Sequence, residues 1–507
     1  MNIKSGNNTR LAVCITILIV TCTLILDRLI PEGIFLDGVT YAAISRNLAI
    51  GKGSFWSLYY RGDWGFYEHP PLMFGIQAIF FKIFGDHYLT EKIFCFAIWL
   101  STSFLFLKLW SGLQFTTKYS FALPLLLWCI IPTVTWGYTN NILDCTMAMF
   151  DMAAVLLIYK GLLQNNSAKS MLMMTGGGLL TTAAILTKGP VGAFPLAIPG
   201  IFWLVYHVGN SKAFFKAIGA ILLLTTIVAG CFFLLYQFPA PRANFDRYLD
   251  EQVFSALGGE REITGGSMGR FALVYDLLMQ MLPPIVLAVV IFIIAKIAKV
   301  VPVQVKAHKK LALFFLLIGL CASLPILLSV KQRTFYLVSS LPYFVFALSL
   351  LVYPYYTGIT EKWPTGNKGM KYFRTVATVI SAGLCVYLGS KIGQPGRDHQ
   401  LISNMKYIST QFPKGQLLGI CPESDKDYAF LAYLQRYNQM EVNPVFYSTD
   451  YVLIDKNVCN NNIIPIISKM GFKQQEFGLE QYALYKRTFP LKFDFTLLNP
   501  VYRKEDI

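Results

Sequence analysis

A few ionisable residues in this sequence stand out because their neighbours are apolar. Asp37 in FLDGVTYAAISRNLA, Glu68 and His69 in FYEHPPL, Asp144 in NNILDCTMAMF, Lys188 in ILTKGPVG, and Lys331, Arg333 and Tyr336 in KQRTFYLVSSLPYF each interrupt or flank a hydrophobic run. A charge beside hydrocarbon is costly unless it is paired or wetted, so such residues default to functional candidates. They are of two chemical kinds. Asp37, Glu68 and Asp144 are carboxylates able to accept a proton from an attacking hydroxyl or to orient it. Lys188, Lys331 and Arg333, helped by His69, Tyr41, Tyr336 and Arg270, suit the binding of a phosphate that gains negative charge as it departs.

Each residue also has a plainer reading. Asp37 begins a helical stretch, where a carboxylate caps free backbone N–H groups. Asp144 lies near a helix start and is favoured there by the helix dipole. Arg46 reads most simply as a side chain snorkelling from an amphipathic helix to lipid head groups. The prolines after Glu68 and His69 fix a helix start. Lys331 and Arg333 fit either outer-edge snorkelling or anion binding. The segment 239–275, with Gly258, Gly259, Gly265 and Gly266, reads as a loop able to order over a ligand. Its Arg247, Glu251, Arg261 and Arg270 are clamp candidates, and a surface connector is the plainer reading.

The elements that must hold these residues are membrane helices. Of 507 residues, 55% are hydrophobic and 14% charged, a composition that a soluble globule could not hide. The net charge of +16 is spread over short segments between apolar runs, which reads as topology signalling rather than nucleic-acid binding. With about 20 apolar residues needed per crossing, the expected spans are 11–30, 90–110, 120–138, 142–160, 171–187, 190–207, 217–238, 276–296, 311–330, 334–353 and 374–392. Residues 70–84 suit an interfacial helix. The lysine and arginine bias places the N-terminus in the cytoplasm, and the first loop and everything past 393 outside. The expected fold is therefore an all-α polytopic domain, residues 1–393, in the cytoplasmic (inner) membrane, followed by a small extracytoplasmic α/β domain, residues 394–507. In that tail, QLLGI, DYVLID and QYALYKR read as strands, and LISNMKYISTQF and DKDYAFLAYLQRY as helices. Cys421 and Cys459 stand either as a disulfide or as two thiols.

In register, FLDGVTYAAISRNLA, FYEHPPL with FGDHYLTEKIF, NNILDCTMAMF, ILTKGPVG and KQRTFYLVSSLPYF resemble the GT-C glycosyltransferases that use polyprenyl-phosphate sugars. The likeness is greatest to the aminoarabinose transferase and protein O-mannosyltransferase group, and it covers about 350 residues. It implies interfacial helices in the first outer loop, Asp37 as the active-site aspartate, Glu68 as the acid of a Glu-X-Pro-Pro run, and a lipid-linked donor entering from the side. Aminoarabinose transferases carry Lys at X, where this chain has His69. Lys331, Lys188 and Asp144 match later cavity motifs. The resemblance implies transfer of a sugar from an undecaprenyl-type phosphate to a lipid, glycan or protein, as in lipid A or cell-envelope modification or protein glycosylation. No cofactor is required by that chemistry, and no Walker or Rossmann motif is present. A secondary transporter and a non-catalytic polyprenyl-lipid-binding scaffold are the alternative classes; the former predicts midplane charged sites in two corresponding halves.

Overall fold

The computed structural model describes residues 3–62, 64–113, 120–255, 269, 271–301, 305–328, 332–362, 368–460 and 462–489. The chain divides into two compact units. The first comprises Met1–Glu32, Ser54–Ser57 and Tyr67–Gln394; the second comprises Gly33–Gly53, Leu58–Phe66 and Pro395–Ile507.

The first unit is helical, and among the described residues seven of its helices are long and apolar enough to cross a membrane. They are Tyr88–Ser111, Leu143–Leu162, Ser167–Lys188, Ser211–Tyr236, Ala272–Ile297, His308–Leu328 and Leu341–Thr360. These answer to seven of the expected spans. Of the other four, 11–30 becomes the helix Ile3–Leu29, and 374–392 and 190–207 become the shorter apolar stretches Thr375–Ser390 and Pro190–Tyr206. The fourth, 120–138, is corrected: it breaks into Ala122–Cys129 and Pro132–Gly137, because Pro132 lacks the N–H that a continuous helix would need there. The interfacial helix is present as Leu72–Phe84.

Two neighbouring helices do most to position the polar residues. Leu143–Leu162 and Ser167–Lys188 are joined by a short link and run antiparallel, so the start of the first lies beside the end of the second. Glycines set how close they come. A Cβ on Gly177 would fall 2.5 Å from Ile158 Cγ1, and one on Gly176 would fall 2.8 Å from Leu157 Cδ1. Close backbone approach through small residues is how helices associate where surrounding lipid is as apolar as their side chains.

The second unit carries a five-stranded sheet ordered Glu441–Asn443, Leu417–Ile420, Tyr451–Asp455, Tyr482–Arg487, Phe472–Gln474. The first three strands are parallel and the last two pair antiparallel, with Leu453 opposite Leu484. The helices His399–Gln411 and Tyr428–Asn438 cover it. The strands 441–443 and 472–474 escape sequence reading because three residues carry no periodicity. Cys421 and Cys459 are joined as a disulfide, with 5.9 Å between Cα atoms. The bridge spans 38 residues, so replacing both cysteines by serine is expected to cost the tail about 4 kcal/mol by restoring freedom to its unfolded state. Denaturant unfolding of the intact protein, followed by tail-specific fluorescence, checks this.

Two first-loop elements belong to this second unit: the helix Leu36–Ala49, called here the first-loop helix, and the hairpin of residues 58–66, in which Leu58 faces Phe66. Ile34 and Val39 are buried in one apolar cluster with Ile402, Met405, Leu418 and Phe430.

Candidate active site

Within the first unit, the start of the Leu143–Leu162 helix and the end of Ser167–Lys188 open on a cavity of about 340 Å³. Glu68, His69, Asp144, Lys188, Tyr248 and Tyr336 line it, and Met147, Val191 and Ile326 supply apolar wall. Five residues singled out from sequence, drawn from four distant stretches of the chain, thus meet at one pocket.

The Lys188 ammonium is bonded to Asp144 Oδ1, and both side chains are largely buried, at 11% and 3% exposure. The ammonium also sits over the Tyr336 ring, 4.0 Å from its centroid, with the Phe335 ring at 5.6 Å. An ion pair this buried is held partly by the surrounding rings, which attract the ammonium through their π faces. Ile142, not Asp144, occupies the cap position of its helix, and it makes no side-chain cap bond. Asp144 is therefore a first-turn residue whose carboxylate serves Lys188.

One wall was not recognised from sequence. The segment 239–275 was expected to be a loop, but its first part is the helix Pro239–Tyr248, continuing as a π-helical turn, Leu249–Phe254. The Tyr248 hydroxyl donates to the Lys188 carbonyl at 3.1 Å, and the Asn244 amide donates to Trp56 O at 3.1 Å. Arg247 lies over the Tyr67 ring, 4.6 Å from its centroid. The Asn-Phe-Asp-Arg-Tyr sequence has no signal that separates Tyr248 from any helical tyrosine. Gly258, Gly259, Arg261, Gly265, Gly266 and Arg270 lie outside the described residues.

Gly189 shows why this corner needs glycine. Its φ is +105°, and a Cβ there would run into the Tyr248 hydroxyl. Gly189→Ala is expected to cost about 1–3 kcal/mol and to displace Tyr248 from the Lys188 carbonyl. A lowered melting temperature, together with weaker binding of polyprenyl phosphate, is the readout.

Three further candidates, Arg333, Asp37 and Tyr41, sit on other elements. Arg333 is exposed, just before the 3₁₀ turn Thr334–Ser339, and does not line the cavity. Lys331 is outside the described residues. Asp37 and Tyr41 are on the first-loop helix of the second unit. Phe35 takes the cap position without a side-chain bond, so Asp37 is the second helical residue and half-buried, not the cap. Tyr41 is buried, edge-on to Phe66 with ring centroids 6.3 Å apart. The reading of Arg46 as a lipid-facing snorkeller is corrected: it is fully buried, and its guanidinium is bonded within the second unit.

A multi-helix membrane unit, with interfacial helix and polar cavity, joined to a small α/β unit is the GT-C arrangement, and the chain is similar to the polyprenyl-phosphate-sugar glycosyltransferases of aminoarabinose transferase and protein O-mannosyltransferase type. The family described as dolichyl-phosphate-mannose-protein mannosyltransferase matches residues 68–236. Among solved structures, ArnT from Cupriavidus metallidurans in the apo state superposes with a TM-score of 0.60 at 15% identity, covering 93% of this chain and 97% of that one. The same protein bound to undecaprenyl phosphate gives 0.58 at 15% identity, covering 94% and 97%. No curated protein sequence matches the chain.

Proposed function

We propose that this protein transfers a sugar from a polyprenyl-phosphate carrier to a lipid, glycan or protein acceptor on the outer face of the cytoplasmic membrane. One observation carries the reading: a largely buried lysine, steadied by Asp144 and the Tyr336 ring, faces a cavity that also has apolar walls. A phosphate attached to an isoprenoid has the same two-part chemistry, and pockets of this size hold ligands through apolar walls and a few fixed polar groups. The matched family and the undecaprenyl-phosphate complex of ArnT support it. For the outward orientation, support comes from the lysine distribution and from the tail disulfide, since such bonds persist in oxidising compartments.

In the reaction we assign, an acceptor hydroxyl attacks the anomeric carbon, the bond from that carbon to the phosphate oxygen breaks, and its electron pair leaves on the polyprenyl phosphate. The acceptor proton passes to a carboxylate, for which Asp37 is our choice and Glu68 the reserve. The donor phosphodiester carries one negative charge and the departing monoester two, so the cation that neutralises the added charge lowers the barrier; Lys188 has that role, with His69 beside it. A single displacement inverts the anomeric centre. No step is routed through a metal or nucleotide.

Comparative mass spectrometry of envelope glycolipids and glycoproteins, with and without the gene, tests this reading. Loss of one glycosyl mass increment from a defined acceptor is expected. Identical glycan profiles in the two strains would refute it.

A further inference from the structure

Arg46 is fully buried, and an arginine so placed must have its donors satisfied or it destabilises the fold severely. Its Nη2 donates to Gln435 O at 2.8 Å and Gln435 Oε1 at 3.0 Å, its Nη1 to Arg436 O at 3.2 Å, and its Nε to Asn47 Oδ1 at 3.1 Å. Gln435 and Arg436 lie in the last turn of the helix Tyr428–Asn438, where the dipole is negative; the Gln435 carbonyl, which also accepts from the Gln439 amide at 3.0 Å, offers Arg46 its second lone pair. Arg46 therefore closes the end of a helix that lies some 390 residues further along the chain.

The rest of the first-loop segment is stitched down in the same way. Asn47 donates to Tyr60 O at 3.0 Å. Glu441 accepts from the Tyr59 hydroxyl and the Gly62 amide, each at 2.6 Å, and Lys52 lies 3.8 Å away. Arg61 pairs with Asp425 at 3.2 Å. The Tyr433 hydroxyl reaches Ile34 O at 3.2 Å and Asp398 Oδ2 at 3.0 Å, and burial, then Asp398, push its phenol upward, so it stays a donor. Under these bonds Ile34 and Val39 are part of the tail's own apolar core.

We propose that the C-terminal unit is the holder of Asp37, with Arg46 as the positioning residue that fixes the first-loop helix against the helix Tyr428–Asn438. This deepens the proposed function and rests on its assignment of Asp37 to the transfer step. Asp37 and Arg46 share one rigid helix, nine residues or about 14 Å apart along its axis. Loosening the Arg46 end therefore tilts the end that carries the carboxylate.

The test uses the full-length protein in lipid nanodiscs, with transfer from polyprenyl-phosphate sugar and hydrogen exchange of residues 36–49 measured on the same samples. Arg46→Ala is expected to lower kcat about 10²-fold with an unchanged KM for the donor, the loss typical of a slightly misplaced catalytic group. Exchange at 36–49 should quicken while Leu417–Ile420 and Tyr451–Asp455 stay protected. Arg46→Lys should recover part of kcat, since an ammonium reaches a carbonyl but cannot reproduce the guanidinium fork. If Arg46→Ala unfolds the whole tail, Glu441→Gln, which weakens the hold on the hairpin and Lys52, should give a smaller change of the same kind. Unaltered exchange at 36–49 in both variants would overturn the proposal. Quickened exchange with full turnover would also overturn it, provided Asp37→Asn abolishes transfer. Should Asp37→Asn leave transfer intact, the assignment of Asp37 falls separately, and the exchange data alone decide whether the tail holds the helix.

Discussion

Asp37→Asn is expected to lower sugar transfer by about 10²–10⁴-fold, the span attributable to a positioned general base, while polyprenyl phosphate still binds. The substitution keeps the shape of the side chain and its capacity to accept a hydrogen bond, but removes its ability to take a proton. The structure removes one alternative role for Asp37. Phe35 occupies the cap position of its helix, so the carboxylate is not required there as a cap. One plainer role for a carboxylate at a first-turn position is attraction to the helix dipole, worth about 0.3–1 kcal/mol. A protein in which Asp37→Asn shifts only stability by that amount, with turnover unchanged, would assign the residue to the helix and not to the chemistry. Single-turnover transfer alongside thermal unfolding distinguishes the two.

The second large effect is expected at Lys188. Replacing it by methionine removes the cation of the cavity and leaves Asp144, at 3% side-chain exposure, without its bonded partner. Breaking a buried pair from one side typically costs about 3–5 kcal/mol, because the orphaned charge stays buried. Lys188→Met should therefore be destabilised and should bind polyprenyl phosphate poorly. The double variant Asp144→Asn/Lys188→Met should regain much of the stability and none of the binding. That divergence separates the structural share of the pair from its share in phosphate recognition, which a single substitution cannot do. Full binding in the double variant would remove Lys188 from the donor site.

Much of this molecule was legible in its sequence, and the parts that were not share a physical cause. The long spans are visible because hydrocarbon thickness sets a length that few soluble segments match. The meeting of Asp144 and Lys188 is also legible in outline, since two helices joined by a short link must place the beginning of one beside the end of the other. Arg46 was misread because exposure is not written into a side chain: an arginine in an amphipathic stretch looks alike whether lipid or a protein carbonyl receives it. Its acceptors at Gln435 and Arg436 are local to the fold and remote in the chain. The attachment of the first-loop segment to the tail was hidden for the same reason, being made by Tyr59, Arg61 and Asn47 to partners that no local pattern announces. Tyr248 was lost in a stretch whose downstream glycines argued for a loop, although Pro239 and Pro241 were available as a helix-start signal.

Transfer of sugar out of a polyprenyl-phosphate linkage is tested most directly by supplying that linkage. Purified protein in nanodiscs, given polyprenyl-phosphate sugar labelled in the sugar together with an extract of envelope acceptors, should release unlabelled polyprenyl phosphate and deliver label to one acceptor with inverted anomeric configuration, and Lys188→Met should do neither. Label that stays on the lipid in the nanodiscs, or that instead accumulates unmodified inside proteoliposomes, would contradict glycosyl transfer and leave a carrier or a lipid-binding scaffold in its place.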